Sequence, residues 1–109
     1  AYDAALDGVV KTPARRQGRS SAWAQYTIQV EPGRRDAIAG ALKEQGIPTA
    51  VYYPLPMHLQ TAYRPLGGGE GSLPVCETLS GKVLSLPMHP FLTDGEIDRV
   101  TSAIRAAVA

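Results

Sequence analysis

The chain has 109 residues, 11 of them Lys or Arg and 10 Asp or Glu, for a formal net charge of +1. That length suits one small domain with a modest core, and the near-neutral balance leaves no long-range field to hold nucleic acid or a membrane surface. The single cysteine, Cys76, excludes an internal disulfide framework and points to a reducing compartment, the cytoplasm. No apolar run approaches the roughly 18 residues of a membrane-spanning helix, and no signal peptide is visible.

Taken in order, Tyr2, Leu6, Val9 and Val10 fall at helical spacing and read as the last turns of a helix. The chain starts at Ala1 without a methionine, in what reads as the middle of that helix, so the sequence is expected to be a piece of something longer. Lys11 to Ser21 is a basic connector, without the interleaved aromatic residues that single-stranded nucleic acid would require. Ala22 to Val30 alternates as a strand, with Ala24, Tyr26, Ile28 and Val30 toward the core and Trp23 and Gln25 on the opposite face. Arg34 to Gln45 is an amphipathic helix closed by Gly46, a residue that adopts the left-handed conformation at little cost.

Thr49 to Tyr53 reads as a second strand, stopped by Pro54-Leu55-Pro56. The glycines at 67–69 lack the Gly-Lys-Ser/Thr ending of a phosphate-cradling loop and read as a surface loop. Leu73 to Gly81 is a helix with Pro74 in its first turn and Val75, Cys76 and Leu79 directed inward. Lys82 to Leu86 is a third short strand, stopped by Pro87. Thr93 and Glu96 form a capping box for a last helix to about Ala107, with Ile97, Val100, Ile104 and Val108 as its buried stripe. This order predicts an α+β fold: a small, mostly antiparallel three-stranded sheet with helices packed on one face.

The chemistry-bearing residues concentrate where the second strand ends. A backbone made rigid by two prolines aims polar side chains at a point beyond the sheet. Tyr52, Tyr53, His58 and Gln60 combine hydrogen-bonding groups with flat apolar bodies, which suits a polar, ring-shaped ligand. On spacing alone, His58 serves equally well as a structural histidine that closes the proline turn. His58, His89 and Cys76 have no second ligand at the spacing a metal site needs, so no metal is expected. Cys76 reads as a buried inert thiol.

Gly46-Ile47-Pro48-Thr49-Ala50-Val51-Tyr52-Tyr53-Pro54-Leu55-Pro56-Met57-His58-Leu59-Gln60, then Ala62-Tyr63, then Val83-Leu84-Ser85-Leu86-Pro87-Met88-His89-Pro90, resembles the carboxy-terminal part of the nucleotide-sugar aminotransferases of the DegT/StrS group. Ser21 to Ile28 is similar to the strand that opens their small domain. The resemblance implies a small domain of the aspartate-aminotransferase fold over residues 20–109. Residues 1–19 would then be a helix end and linker from a large domain not included in this chain. It further implies a pyridoxal-phosphate enzyme, dimeric in its full-length form, that transfers an amino group from an amino acid, usually glutamate, to a nucleotide-linked keto-sugar in polysaccharide biosynthesis. His58, with Tyr53 and Gln60 flanking it, matches the substrate-site positions. None of Lys11, Lys43 and Lys82 sits in the family's Schiff-base motif, so the chain alone is expected to be inactive. Composition and periodicity by themselves fit equally a free-standing α+β module that binds a small ligand or a protein without chemistry. A lysine-bearing domain encoded upstream would separate the two.

Overall fold

The computed structural model describes residues 1–109. Two short segments rich in β-branched and apolar residues, β1 (Tyr26–Gln29) and β2 (Val83–Leu86), pair antiparallel with Tyr26 opposite Leu86 and Gln29 opposite Val83. In β1 burial alternates, Tyr26 and Ile28 inward. In β2, Leu84, Ser85 and Leu86 are all buried, because this strand lies inside the array. Single bridges flank the pair: Lys11 meets Gln29 on the outer side of β1, and Ala50 meets Ser85 on the free side of β2.

The sheet is therefore two-stranded, and the expected third strand, Thr49 to Tyr53, contracts to the one bridge at Ala50. The reason is in the ladder. Ala50 and Ser85 exchange both backbone hydrogen bonds, 3.0 and 2.8 Å, and in an antiparallel pair such exchanges recur every second residue. The next pair on one side would be Pro48 with Pro87, neither of which has an N–H to give. On the other side the chain bends at Tyr52 and leaves the sheet.

Helices α1 (Tyr2–Leu6), α2 (Arg35–Glu44) and α4 (Asp94–Val108) supply the rest of the core. Leu6, Ile28, Ile38, Leu42, Leu84 and Ile104 are its fully buried side chains, and Tyr2 belongs to the same cluster. Helix α2 ends as its glycine foretells. Gly46 sits at φ +70°, its N–H donates to Lys43 O at 2.9 Å, and Ile47 N–H donates to Leu42 O at 2.9 Å, so the last carbonyls are satisfied while Ile47 packs inward. Helix α4 opens on the capping box: Thr93 N–H donates to Glu96 Oε2 at 2.8 Å and Glu96 N–H donates to Thr93 Oγ1 at 3.3 Å.

Two expectations about facing are overturned. Trp23 does not lie on the far side of a strand. The ladder begins only at Tyr26, so Ala24, expected toward the core, is exposed, and Trp23 adopts φ +51°, which turns its ring onto Tyr26 at 5.4 Å between centroids and beneath the Arg15 guanidinium at 4.8 Å. Arg15 also donates to Asp3, which accepts from the Tyr26 hydroxyl as well. The basic connector is thus stitched to α1 and β1 by one of its cations. The second correction concerns α3 (Pro74–Ser80): Val75 is 72% exposed and Cys76 is exposed, leaving only Leu79 half-buried. The helix is tethered through polar groups, as the site shows.

Candidate functional site

The chain that leaves the sheet at Tyr52 runs through Pro54 and Pro56 into a single 3-10 turn, Met57–Leu59, which carries His58. A second such turn, Arg64–Leu66, leads into the glycine segment. Prolines fix φ without a donor, so this stretch holds its course without a ladder. Pro56 is buried and anchors it.

His58 points back toward α3. Its Nε2 lies 2.9 Å from Glu77 Oε1, and only 10% of the His58 side chain remains exposed. Glu77 accepts two further donors, Gly71 N–H at 2.9 Å to Oε2 and Leu73 N–H at 3.1 Å to Oε1. These contacts hold the Glu77 carboxyl below the usual range, the Gly71 N–H contributing most, then His58 and Leu73. Ser72 closes the turn by donating from Oγ to Gly69 O at 2.7 Å. The glycine segment is therefore a hydrogen-bonded strap across α3. On its other side His58 meets Gly67, where an added Cβ would stand 3.3 Å from His58 Cβ.

The three site residues expected from the sequence are gathered on one stretch but do not bond to one another. His58 is committed through Nε2 to Glu77. Gln60 donates from Nε2 to Leu55 O at 3.4 Å. Tyr53 is 75% exposed and lines a groove of about 550 Å³ with Pro56, Pro74, Val75, Cys76 and Leu79 among its walls. No charged side chain lines that groove. Glu77 belongs to none of the motifs singled out in the sequence. A glutamate one turn into a helix that opens on Pro74, just past a glycine segment, is the signal that it reaches back for free N–H groups.

With this arrangement in view, the comparison with known proteins is decisive for the family. The DegT/DnrJ/EryC1/StrS aminotransferase family matches residues 1–105. The chain belongs to that family. Among its relatives, a pleiotropic regulatory protein of Geobacillus stearothermophilus is 44% identical over 100 residues, 92% of this chain and 26% of that protein. The UDP-2-acetamido-2-deoxy-3-oxo-D-glucuronate aminotransferase of Pseudomonas aeruginosa is 36% identical over 104 residues, 94% of this chain and 28% of that protein. The crystal structure of a DegT/DnrJ/EryC1/StrS aminotransferase from Brucella abortus superimposes with a TM-score of 0.89 at 44% identity, over 99% of this chain and 28% of that one. NtdA of Bacillus subtilis, solved with bound cofactor PMP, gives a TM-score of 0.83 at 27% identity, over 98% of this chain and 26% of that one. The chain thus spans about a quarter of the length of these members of the family.

The residues present do not fit a pyridoxal-phosphate site by themselves. Lys43 is exposed on α2, Lys11 is exposed at the bridge to Gln29, and Lys82 faces a different groove beside Glu31 and Arg34. None borders the Tyr53 groove, so this chain brings neither an amine nor a phosphate-binding cation to that groove.

Proposed function

We propose that this chain is the carboxy-terminal small domain of a pyridoxal-phosphate aminotransferase acting on a nucleotide-linked keto-sugar. Residues 20–109 form the domain, and residues 1–19 enter it from a preceding large domain that holds the cofactor and the Schiff-base lysine. The amino donor is an amino acid, glutamate, the full-length protein works as a homodimer, and it acts in the cytoplasm. The observation that carries this reading is the family match over residues 1–105.

Within that enzyme, Tyr53, His58 and Gln60 contact the nucleotide sugar. What supports this assignment is their placement on one proline-stiffened segment, of which Tyr53 lines the open groove while His58 and Gln60 lie outside its walls. Hydroxyl, imidazole and amide groups bond sugar hydroxyls without burying a charge. The groove is open and apolar, lined by Tyr53 and Pro56, α3 and Val83, and the exposed apolar side of α3 suits contact with the remainder of the polypeptide.

The test uses the complete polypeptide that carries these residues, supplied with pyridoxal phosphate, glutamate and nucleoside-diphosphate keto-sugars, with the amino sugar read by mass. Amino transfer by the complete polypeptide, together with no cofactor co-eluting with the 109-residue chain on gel filtration, is the expected result. Amino transfer by the chain alone, or none by the complete polypeptide with any such keto-sugar, contradicts the reading.

A further inference from the structure

The sugar-contact role of His58 leaves open which of its nitrogens is available, and Glu77 answers that. A carboxylate held below its usual range is ionised at neutral pH and accepts hydrogen bonds only. Its partner in the neutral imidazole must then be the protonated nitrogen, so Nε2 carries the proton and Nδ1 is a bare acceptor. Nδ1 makes no hydrogen bond within the chain, and no buried side-chain nitrogen or oxygen of the molecule lacks a partner, so Nδ1 opens to the surface. The ring cannot readily turn away. Its Nε2 is held by Glu77, and Glu77 is itself fixed by Gly71 and Leu73 N–H groups.

We infer that Glu77 is a positioning residue: it sets the tautomer and orientation of His58 so that Nδ1 is presented outward as an acceptor for a hydroxyl or N–H donor of the substrate. This rests on the reading that His58 touches the nucleotide sugar. It adds the polarity of that contact and the residue that imposes it, 19 positions downstream. The arrangement favours a ligand that offers a donor at that point, since a ligand acceptor there would face a bare lone pair.

Two measurements test the inference. In long-range 1H–15N spectra of the chain, recorded above the imidazolium range, His58 shows Nε2 protonated and Nδ1 bare. His89, whose Nδ1 accepts from Phe91 N–H at 3.3 Å, is the one other histidine and serves as an internal reference. In Glu77→Ala the second tautomer of His58 becomes populated. A proton on Nδ1 in the wild-type chain, or the same single tautomer in Glu77→Ala, overturns the inference, and the wild-type spectrum decides even if that variant folds poorly.

In the complete polypeptide, His58→Gln keeps a donor for Glu77 while removing the δ acceptor, and it is expected to raise KM for the keto-sugar nucleotide about tenfold, the effect of one lost hydrogen bond. Glu77→Ala is expected to raise KM by a similar factor. If His58→Gln raises KM and a folded Glu77→Ala leaves it unchanged, Glu77 is only a helix cap and the inference fails while the His58 contact stands. If His58→Gln leaves KM unchanged, the contact itself is wrong, and the inference falls with it whatever the spectra show.

Discussion

At position 67 a side chain would press on its neighbour. An alanine methyl would stand 3.3 Å from His58 Cβ and 3.4 Å from His58 O, in a turn whose histidine ring is tied to Glu77. Gly67→Ala is therefore expected to destabilise the chain by about 1–3 kcal/mol, the usual range for overpacking, measured by denaturant unfolding. A change within about 0.5 kcal/mol, the ordinary surface value, would mean that the turn carrying His58 gives way to the methyl. The His58–Glu77 pairing also explains what the sequence left undecided. Residue type and spacing allow His58 to close the proline turn or to touch a ligand. The structure adds a third fact, a partner on α3, which no local pattern could reveal because it lies 19 residues away.

At the scale of elements, the segments legible in the sequence are those whose signals are local. The alternation of Tyr26, Ile28 and Val30, the glycine that ends α2 and the Thr93–Glu96 box all work within a few residues, and each appears where its spacing puts it. The misread elements depend on a remote partner. The strand at Thr49 is lost because Pro48 would have to pair with Pro87, and α3 faces outward because its anchor is Glu77 rather than an apolar stripe. Thr93→Ala removes the cap of α4 and is expected to cost about 1 kcal/mol, lowering Tm by roughly 4–8 °C in a domain of this size. An unchanged Tm would show that α4 is held by packing alone.

The same local bonds set the acid limit. Glu96 is held below its ordinary 4.5, first by the Thr93 N–H, and Glu77 is held below the same value by Gly71 and His58. Burial pushes the Asp3 carboxyl up, but hydrogen bonds from Tyr26 and Arg15 outweigh it and bring it below its ordinary 3.8. A carboxylate with a depressed folded value stabilises the fold above its unfolded value, and that contribution is lost as pH falls through the folded one. Tm is therefore expected to decline as pH drops below about 4.5, and Glu77→Ala should flatten part of that decline. A melting temperature that rises on acidification would contradict the sign.

The whole molecule has a closed side and an open side. The closed side is the core shared by β1, β2, α1, α2 and α4, in which Leu84 and Ile104 are fully buried. The open side is the Tyr53 groove under α3, apolar and without a charged wall. Tyr53 and Pro56, on the proline-stopped segment singled out in the sequence, line that groove, but most of its walls come from α3, whose side chains the sequence directs inward. What would border the groove in a longer protein could not be read from local pattern, because the chain spans about a quarter of its relatives' length. The central claim is that this chain contributes substrate contacts while the cofactor is held elsewhere in the polypeptide. Steady-state kinetics of the complete polypeptide with His58→Ala test it most directly. KM for the nucleotide-linked keto-sugar is predicted to rise about tenfold or more, and a KM equal to that of the wild type would contradict the account.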